Sequence, residues 1–92
     1  MMDLTLTTTT TRLSDLARDR LLGAELIEFR LKDESADENR YVVRWRRTTG
    51  PFTPDEHGTH VACLHVDGHS MLVWGHYTRN EGEAKRDYRK RT

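Results

Sequence analysis

Five histidines and a cysteine crowd one stretch of the chain: His57, His60, Cys63, His65, His69 and His76. These side chains ligate transition metals, and a neighbouring Cys and His can also supply a nucleophile and its base. Structural zinc sites draw on closely paired ligands such as Cys-x-x-Cys, and no such pair occurs here. Strand geometry also opposes convergence. A two-residue turn at Asp67-Gly68 sets Val66 opposite His69, His65 opposite Ser70, Cys63 opposite Leu72 and Thr59 opposite His76. Cys63 and His65 then share one sheet face, His60 and His69 the other, and His57 falls in a loop. No metal and no cofactor are expected. A Cys63–His65 catalytic pair would also need an orienting group and oxyanion donors, which the sequence does not supply. Cys63, between Ala62 and Leu64, has the setting of a small core residue. The expectation is a protein that is not an enzyme.

Cations and aromatics carry the second candidate chemistry. Pairing residues 25–32 with 40–47 sets Ile27 opposite Trp45, Phe29 opposite Val43 and Leu31 opposite Tyr41. The opposite face then shows Arg30, Lys32, Arg40, Arg44 and Arg46 with one acid, Glu28. A basic tail follows, with Arg79, Lys85, Arg86, Arg89, Lys90 and Arg91. Such a surface suits phosphates or an acidic protein. Sheet-type RNA binders also stack bases on exposed aromatics, whereas this register points Tyr41 and Trp45 inward. Trp74 and His76, with Tyr77, form a contact patch near the last strand–helix junction, where Trp and Tyr are favoured anchors. The expected function is a non-enzymatic protein–protein binding module whose contact residues are Arg30, Lys32, Arg40, Arg44, Arg46, Trp74 and His76. The alternative is a nucleic-acid-binding module using the arginine-rich face. Neither the partner nor the oligomeric state is specified by the sequence.

Hydrophobic period places these residues on elements. Leu13, Leu16, Ala17 and Leu21 fall at helical spacing, so residues 12–22 form a helix, with Gly23 just past its end. The Thr-rich residues 1–11 before it read as a flexible terminus. Period-2 alternation marks strands over 25–32 and 40–47, joined by an acidic loop. Gly50-Pro51 and Pro54-Asp55 punctuate the next connection. Two uncharged runs, 59–66 and 69–77, flank Asp67-Gly68 as a hairpin, and their lack of charge suggests the centre of the sheet. Thr78 and Glu81 have the spacing of a capping box before a final helix. The fold class is α+β: a four-stranded antiparallel sheet with an N-terminal and a C-terminal helix on one face, in the order α-β-β-β-β-α. Residues 12–92 make one domain.

The tail carries a resemblance. Gly75-His76-Tyr77, Ala84 seven residues after the Tyr, and the acidic–aromatic pair Asp87-Tyr88 resemble the ends of short uncharacterised proteins from phages, plasmids and bacterial genomes. Those proteins often carry an apolar residue where this chain has Glu81. The resemblance spans about the last fifth of the chain and implies a small α+β domain with no known chemistry; it is also the basis for expecting the binding module to be a phage or mobile-element accessory protein that modulates a host factor.

Composition bounds the rest. A chain of 92 residues with 35% hydrophobic and 33% charged side chains supports one modest core. Formal net charge is zero, so no bulk attraction to nucleic acid or an anionic membrane is expected. No apolar run approaches the ~20 residues that span a bilayer. The first residues lack the basic and apolar regions of a secretory signal, and a single cysteine suits a reducing compartment. A cytoplasmic location without membrane contact is expected.

Overall fold

The computed structural model describes residues 4–91. Met1–Asp3 and Thr92 lie outside the described residues, and with them the start of the segment expected to be flexible. Helix α1 spans Leu4–Arg20, followed by strands β1 (Glu25–Glu34), β2 (Glu38–Arg47), β3 (Glu56–His65) and β4 (Ser70–Thr78), and helix α2 (Glu81–Lys90). The strands form one antiparallel sheet in the order β1-β2-β3-β4. The chain is therefore α+β with the element order read from its periodicities. Among the described residues no helix is long and apolar enough to cross a membrane.

The first correction concerns α1, which begins at Leu4 and takes in Thr7–Thr11. Each Thr costs only about 0.5 kcal/mol relative to Ala in a helix, and its hydroxyl can bond a carbonyl one turn back. Leu13, Leu16, Ala17 and Leu21 are all buried. They dock the C-terminal half, which meets the nucleation cost and lets the helix run backward through the threonines.

The second correction concerns the layers, because the two helices cover opposite faces. On one face Leu13 and Leu16 pack on Tyr41, Val43, Ala62 and Leu64, while Ala17 and Leu21 pack against Trp45. The other face carries Val42, Arg44, Thr59 and Val61, all buried. There the Thr59 hydroxyl bonds Asp87 of α2, and Arg30 lies over the Tyr88 ring at 4.4 Å. Ala84 and Tyr88 are the buried residues of α2, so Tyr88 anchors that helix. The cause lies in β2 and β3, which are apolar on both faces. A sheet with Val42 and Val61 on one side and Val43 and Ala62 on the other must be covered twice.

The registers depart from strict alternation at bulges. In β1–β2, Phe29 faces Val43, Leu31 faces Tyr41, Glu28 faces Arg44 and Arg30 faces Val42, as the alternation implies. Irregularities at Ile27 and Lys32 move the outer pairs. Leu26, not Ile27, faces Trp45; Glu25, not Leu26, faces Arg46; and Asp33, not Lys32, faces Arg40. In β3–β4, Thr59 faces His76 as expected, but Cys63 faces Met71 rather than Leu72, and Leu64 faces Ser70. The loop is one residue longer than a two-residue turn. His65 N–H bonds the His69 carbonyl, Gly68 N–H bonds the His65 carbonyl, and Gly68 has φ +100°. That is a turn closed by a glycine bulge. A second irregularity between Thr59 and Val61 leaves Trp74 and Gly75 together opposite His60, which restores the expected pairing beyond it.

Both ends of the helical layers have their own signatures. Asn80 is the N-cap of α2, its Oδ1 accepting from Glu83 N–H at 2.9 Å. The capping role expected of Thr78 is displaced because Thr78 still pairs with His57 in the sheet. Its hydroxyl accepts from Asn80 N–H instead and donates to Glu83 Oε2. At the end of α1, Gly23 N–H bonds the Arg18 carbonyl at 2.8 Å, the reach of a Schellman cap. That cap places a left-handed residue at Leu22 (φ 52°), one position before the glycine. Leu22 is 83% exposed, so its side chain contributes little to offset the strain. Leu22→Gly should therefore stabilise the fold by about 1 kcal/mol, since glycine adopts this conformation without steric cost. Thermal or urea unfolding of the two proteins measures it; an unchanged or lowered midpoint contradicts the cap geometry.

Candidate functional site

The α1-side face carries a polar network beside its apolar cluster. Trp45 donates its indole N–H to His60 Nδ1 at 2.9 Å, and His60 Nε2 meets the Tyr77 hydroxyl at 3.1 Å. An indole N–H only donates, so Nδ1 is the acceptor and the ring proton sits on Nε2, facing Tyr77. The Tyr77 ring packs edgewise on both others, its centroid 5.4 Å from Trp45 and 5.3 Å from His60. Two glycines make the space. A Cβ on Gly58 would lie 2.3 Å from the Trp45 ring, and one on Gly75 would lie 2.4 Å from His60 Nε2. Burial, aided by the positive charge of Arg91, pushes His60 down to about 4.

The bulge beside this network sets up the exposed surface. Trp74 has φ 54° and is 64% exposed. Positive φ on a bulky residue is a sterically costly conformation, and such strain gathers at functional positions. The bulge is held from the α2 side. Arg91 donates to the Trp74 carbonyl at 2.6 Å and to Asp87 Oδ2 at 3.0 Å, and Thr59 donates to the same carboxylate. Burial pushes the Asp87 carboxyl up, but the bonds from Thr59 and Arg91 outweigh it and leave the group below its ordinary value.

The two edges of the sheet differ in kind. β1 carries Glu25, Glu28, Arg30, Lys32, Asp33 and Glu34 and is interrupted at Ile27 and Lys32. Charges and bulges of this sort keep an edge from pairing. β4 carries no charged residue from Ser70 to Thr78, and Met71, Trp74 and Tyr77 are exposed along it. The uncharged hairpin was expected at the centre of the sheet; β3 is central, but β4 is the edge. A groove of 440 Å³ runs beside this edge against the end of α1, lined by Arg20, Leu21, Leu72, Met71 and Tyr77.

The residues singled out by sequence separate into two groups. Trp74 lies on the β4 edge, and His76 next to it is half-buried and contacts Glu83 of α2 at 3.4 Å. The cations are elsewhere and engaged. Arg44 is 6% exposed and pairs with Glu28 at 2.6 Å, and Arg46 pairs with Glu25 at 2.9 Å. Arg40 pairs with Glu38 at 3.0 Å, Lys32 lies 3.7 Å from Asp33, and Arg30 donates to the Arg91 carbonyl. α2 thus covers part of the expected face of cations, with Arg44 inside, while Arg40 and Arg46 stay partly exposed in their ion pairs. Sequence pattern missed the Trp45–His60–Tyr77 network. Its one visible signal was a glycine at each of the two positions, 58 and 75, that flank the large rings.

The metal-type side chains are dispersed. His57 lies opposite Thr78, with its Nδ1 the one buried side-chain polar atom lacking a partner among the described residues. His65 and His69 both contact Asp67 at the hairpin tip, where the His69 amide and ring help draw that carboxyl down to about 2. Cys63 is buried, and burial pushes its thiol up, away from the reactive thiolate. Among the described residues no three His, Cys, Asp or Glu side chains are grouped to hold a metal ion. No protein-family model, no curated protein and no solved structure matches the chain.

The network has a pH signature. The folded state holds His60 neutral down to about pH 4, while an unfolded histidine titrates near 6.5. Its contribution is full above pH 6.5 and is lost as pH falls through 4, because the unfolded state then binds the extra proton. Urea denaturation should lose about 3 kcal/mol from this group across that interval. His60→Gln, which keeps one acceptor and one donor, should flatten the slope between pH 6.5 and 4. A wild-type slope no steeper than the variant's would contradict a neutral, buried His60.

Proposed function

We propose that the chain is a small, non-enzymatic protein-binding module that docks its partner along the free edge of β4, with Trp74 as the anchor. One observation carries this: the uncharged strand is the edge strand, and it holds an exposed tryptophan in a strained backbone conformation. An unprotected edge presents unpaired backbone N–H and C=O groups, which a partner strand satisfies while apolar flanking side chains are covered. Arg40, Arg44 and Arg46 hold carboxylates, so they support the nucleic-acid reading less well. A cytoplasmic location is supported by the lone, buried cysteine. An accessory role in a phage or mobile element, acting on a host factor, is supported by the resemblance of the tail at Gly75-His76-Tyr77, Ala84 and Asp87-Tyr88.

Strain and docking make opposite demands on position 74, and this gives the test. Trp74→Gly should raise stability by about 1 kcal/mol, because the left-handed conformation no longer opposes a side chain. The same change should weaken partner capture by about 2 kcal/mol or more, the scale of an aromatic anchor. Unfolding curves and affinity capture from lysate, with and without nuclease, measure the two quantities. Capture that survives in Trp74→Gly, or that disappears on nuclease treatment, contradicts the proposal.

A further inference from the structure

We infer that the edge of β4 pairs with a second copy of this chain, antiparallel about a two-fold axis. The inference rests on the reading of β4 as the docking edge and names the occupant of its regular part, Ser70–Leu72, before the bulge that carries Trp74. Self-complementarity is the first argument. Two copies of an uncharged strand place no like charges opposite one another, and cross-strand pairs are penalised chiefly for such clashes. Closure is the second. An exposed edge at each side of a sheet would let copies add head to tail without end. Here β1 is charged and bulged, so β4 cannot continue onto the β1 of a neighbour. Joining β4 to β4 merges two four-stranded sheets into one of eight and leaves a protected β1 at both outer edges.

Geometry defines the register. The His69 carbonyl bonds inward to His65, and Met71 pairs with Cys63 two residues on. Alternation therefore turns the N–H and C=O groups of Ser70 and Leu72 outward. The bulge at Trp74–Gly75 ends the regular edge, so the pairing is short and centres on Met71. Ser70 of each copy then bonds Leu72 of the other, and the two exposed Met71 side chains meet at the axis. On the α1 side, the surface beside β4 carries Arg12 and Arg20 with Asp15 and Asp19, both signs in one stretch, so its apposition to itself is also complementary.

Sedimentation equilibrium of the full chain from about 1 μM to 1 mM tests the inference. Wild type should show a reversible monomer–dimer equilibrium, and Met71→Lys, which puts two ammonium groups at the axis, should weaken it at least ~100-fold. Met71 is exposed, so circular dichroism should show the variant folded. Hydrogen exchange supplies an independent readout: the Ser70 and Leu72 amides should gain protection as concentration rises. Leu31→Lys, on the exposed β1 edge, should leave association unchanged. A wild type that stays monomeric, a dimer that survives Met71→Lys, or one lost in Leu31→Lys overturns the inference. If wild type is monomeric but Met71→Lys abolishes capture of a protein partner, the β4 edge stands as the docking site and only its occupant is wrong. If capture is also unaffected, the docking edge falls with it.

Discussion

The hydrogen-bonded chain Trp45–His60–Tyr77 is the constraint from which the rest of this structure follows. It joins β2, β3 and β4 beneath α1, and it demands that Tyr77 reach the α1 face. The hairpin loop alone would not allow that. With the register set by the glycine bulge at Gly68, Tyr77 would pair with His57 and point to the α2 face. The extra residue at Trp74–Gly75 turns Tyr77 back, opposite Gly58. The left-handed Trp74 is thus the local cost of satisfying a buried histidine. An unpaired buried imidazole would cost more, about 1–3 kcal/mol for each polar atom left without a partner.

The opposite face secures the same bulge from behind. Thr59, Asp87 and Arg91 form a connected set that ends on the Trp74 carbonyl. α2 has only Ala84 and Tyr88 as buried residues, so these polar links, with the Arg30–Tyr88 contact, position a helix that hydrophobic burial alone would hold weakly. One edge strand is therefore fixed by a network on each side, and its outward groups and its tryptophan are held ready for a partner. Preorganisation of this kind lowers the ordering cost of binding.

Much of the fold was legible because period is a direct physical signal. Alternation in 25–32 and 40–47 marks pleated strands, the Asp67-Gly68 turn marks the hairpin after them, and Leu13, Leu16, Ala17 and Leu21 mark a helix stripe. What periodicity cannot show is which side a helix takes. Val42 and Val61 already signalled a second buried face, yet that half-apolar face was read as an open contact surface, and Arg44 with it. Strand position was misread for a related reason. Absence of charge marks burial or a docking edge equally, and only the sheet order separates them. Bulges at Ile27, Lys32 and Trp74 leave no mark in composition, since they answer to tertiary contacts formed far along the chain. In the candidate site, Trp74 and His76 were found by residue type. Tyr77 was found with them, and the expected pairing of Thr59 with His76 already sets it opposite Gly58; its bond to His60 is a side-chain contact that no periodicity marks.

The network that fixes that register is open to a direct test, the tautomer and titration of His60 by nitrogen-15 and proton NMR. A bond from the Trp45 indole requires the proton on Nε2 and an unprotonated Nδ1, persisting as pH falls toward about 4. Observation of that tautomer, with titration well below 6.5, agrees with the account. A proton on Nδ1, or an ordinary titration near 6.5, would mean that the ring is not held between Trp45 and Tyr77, and the reason for the strained edge would be gone.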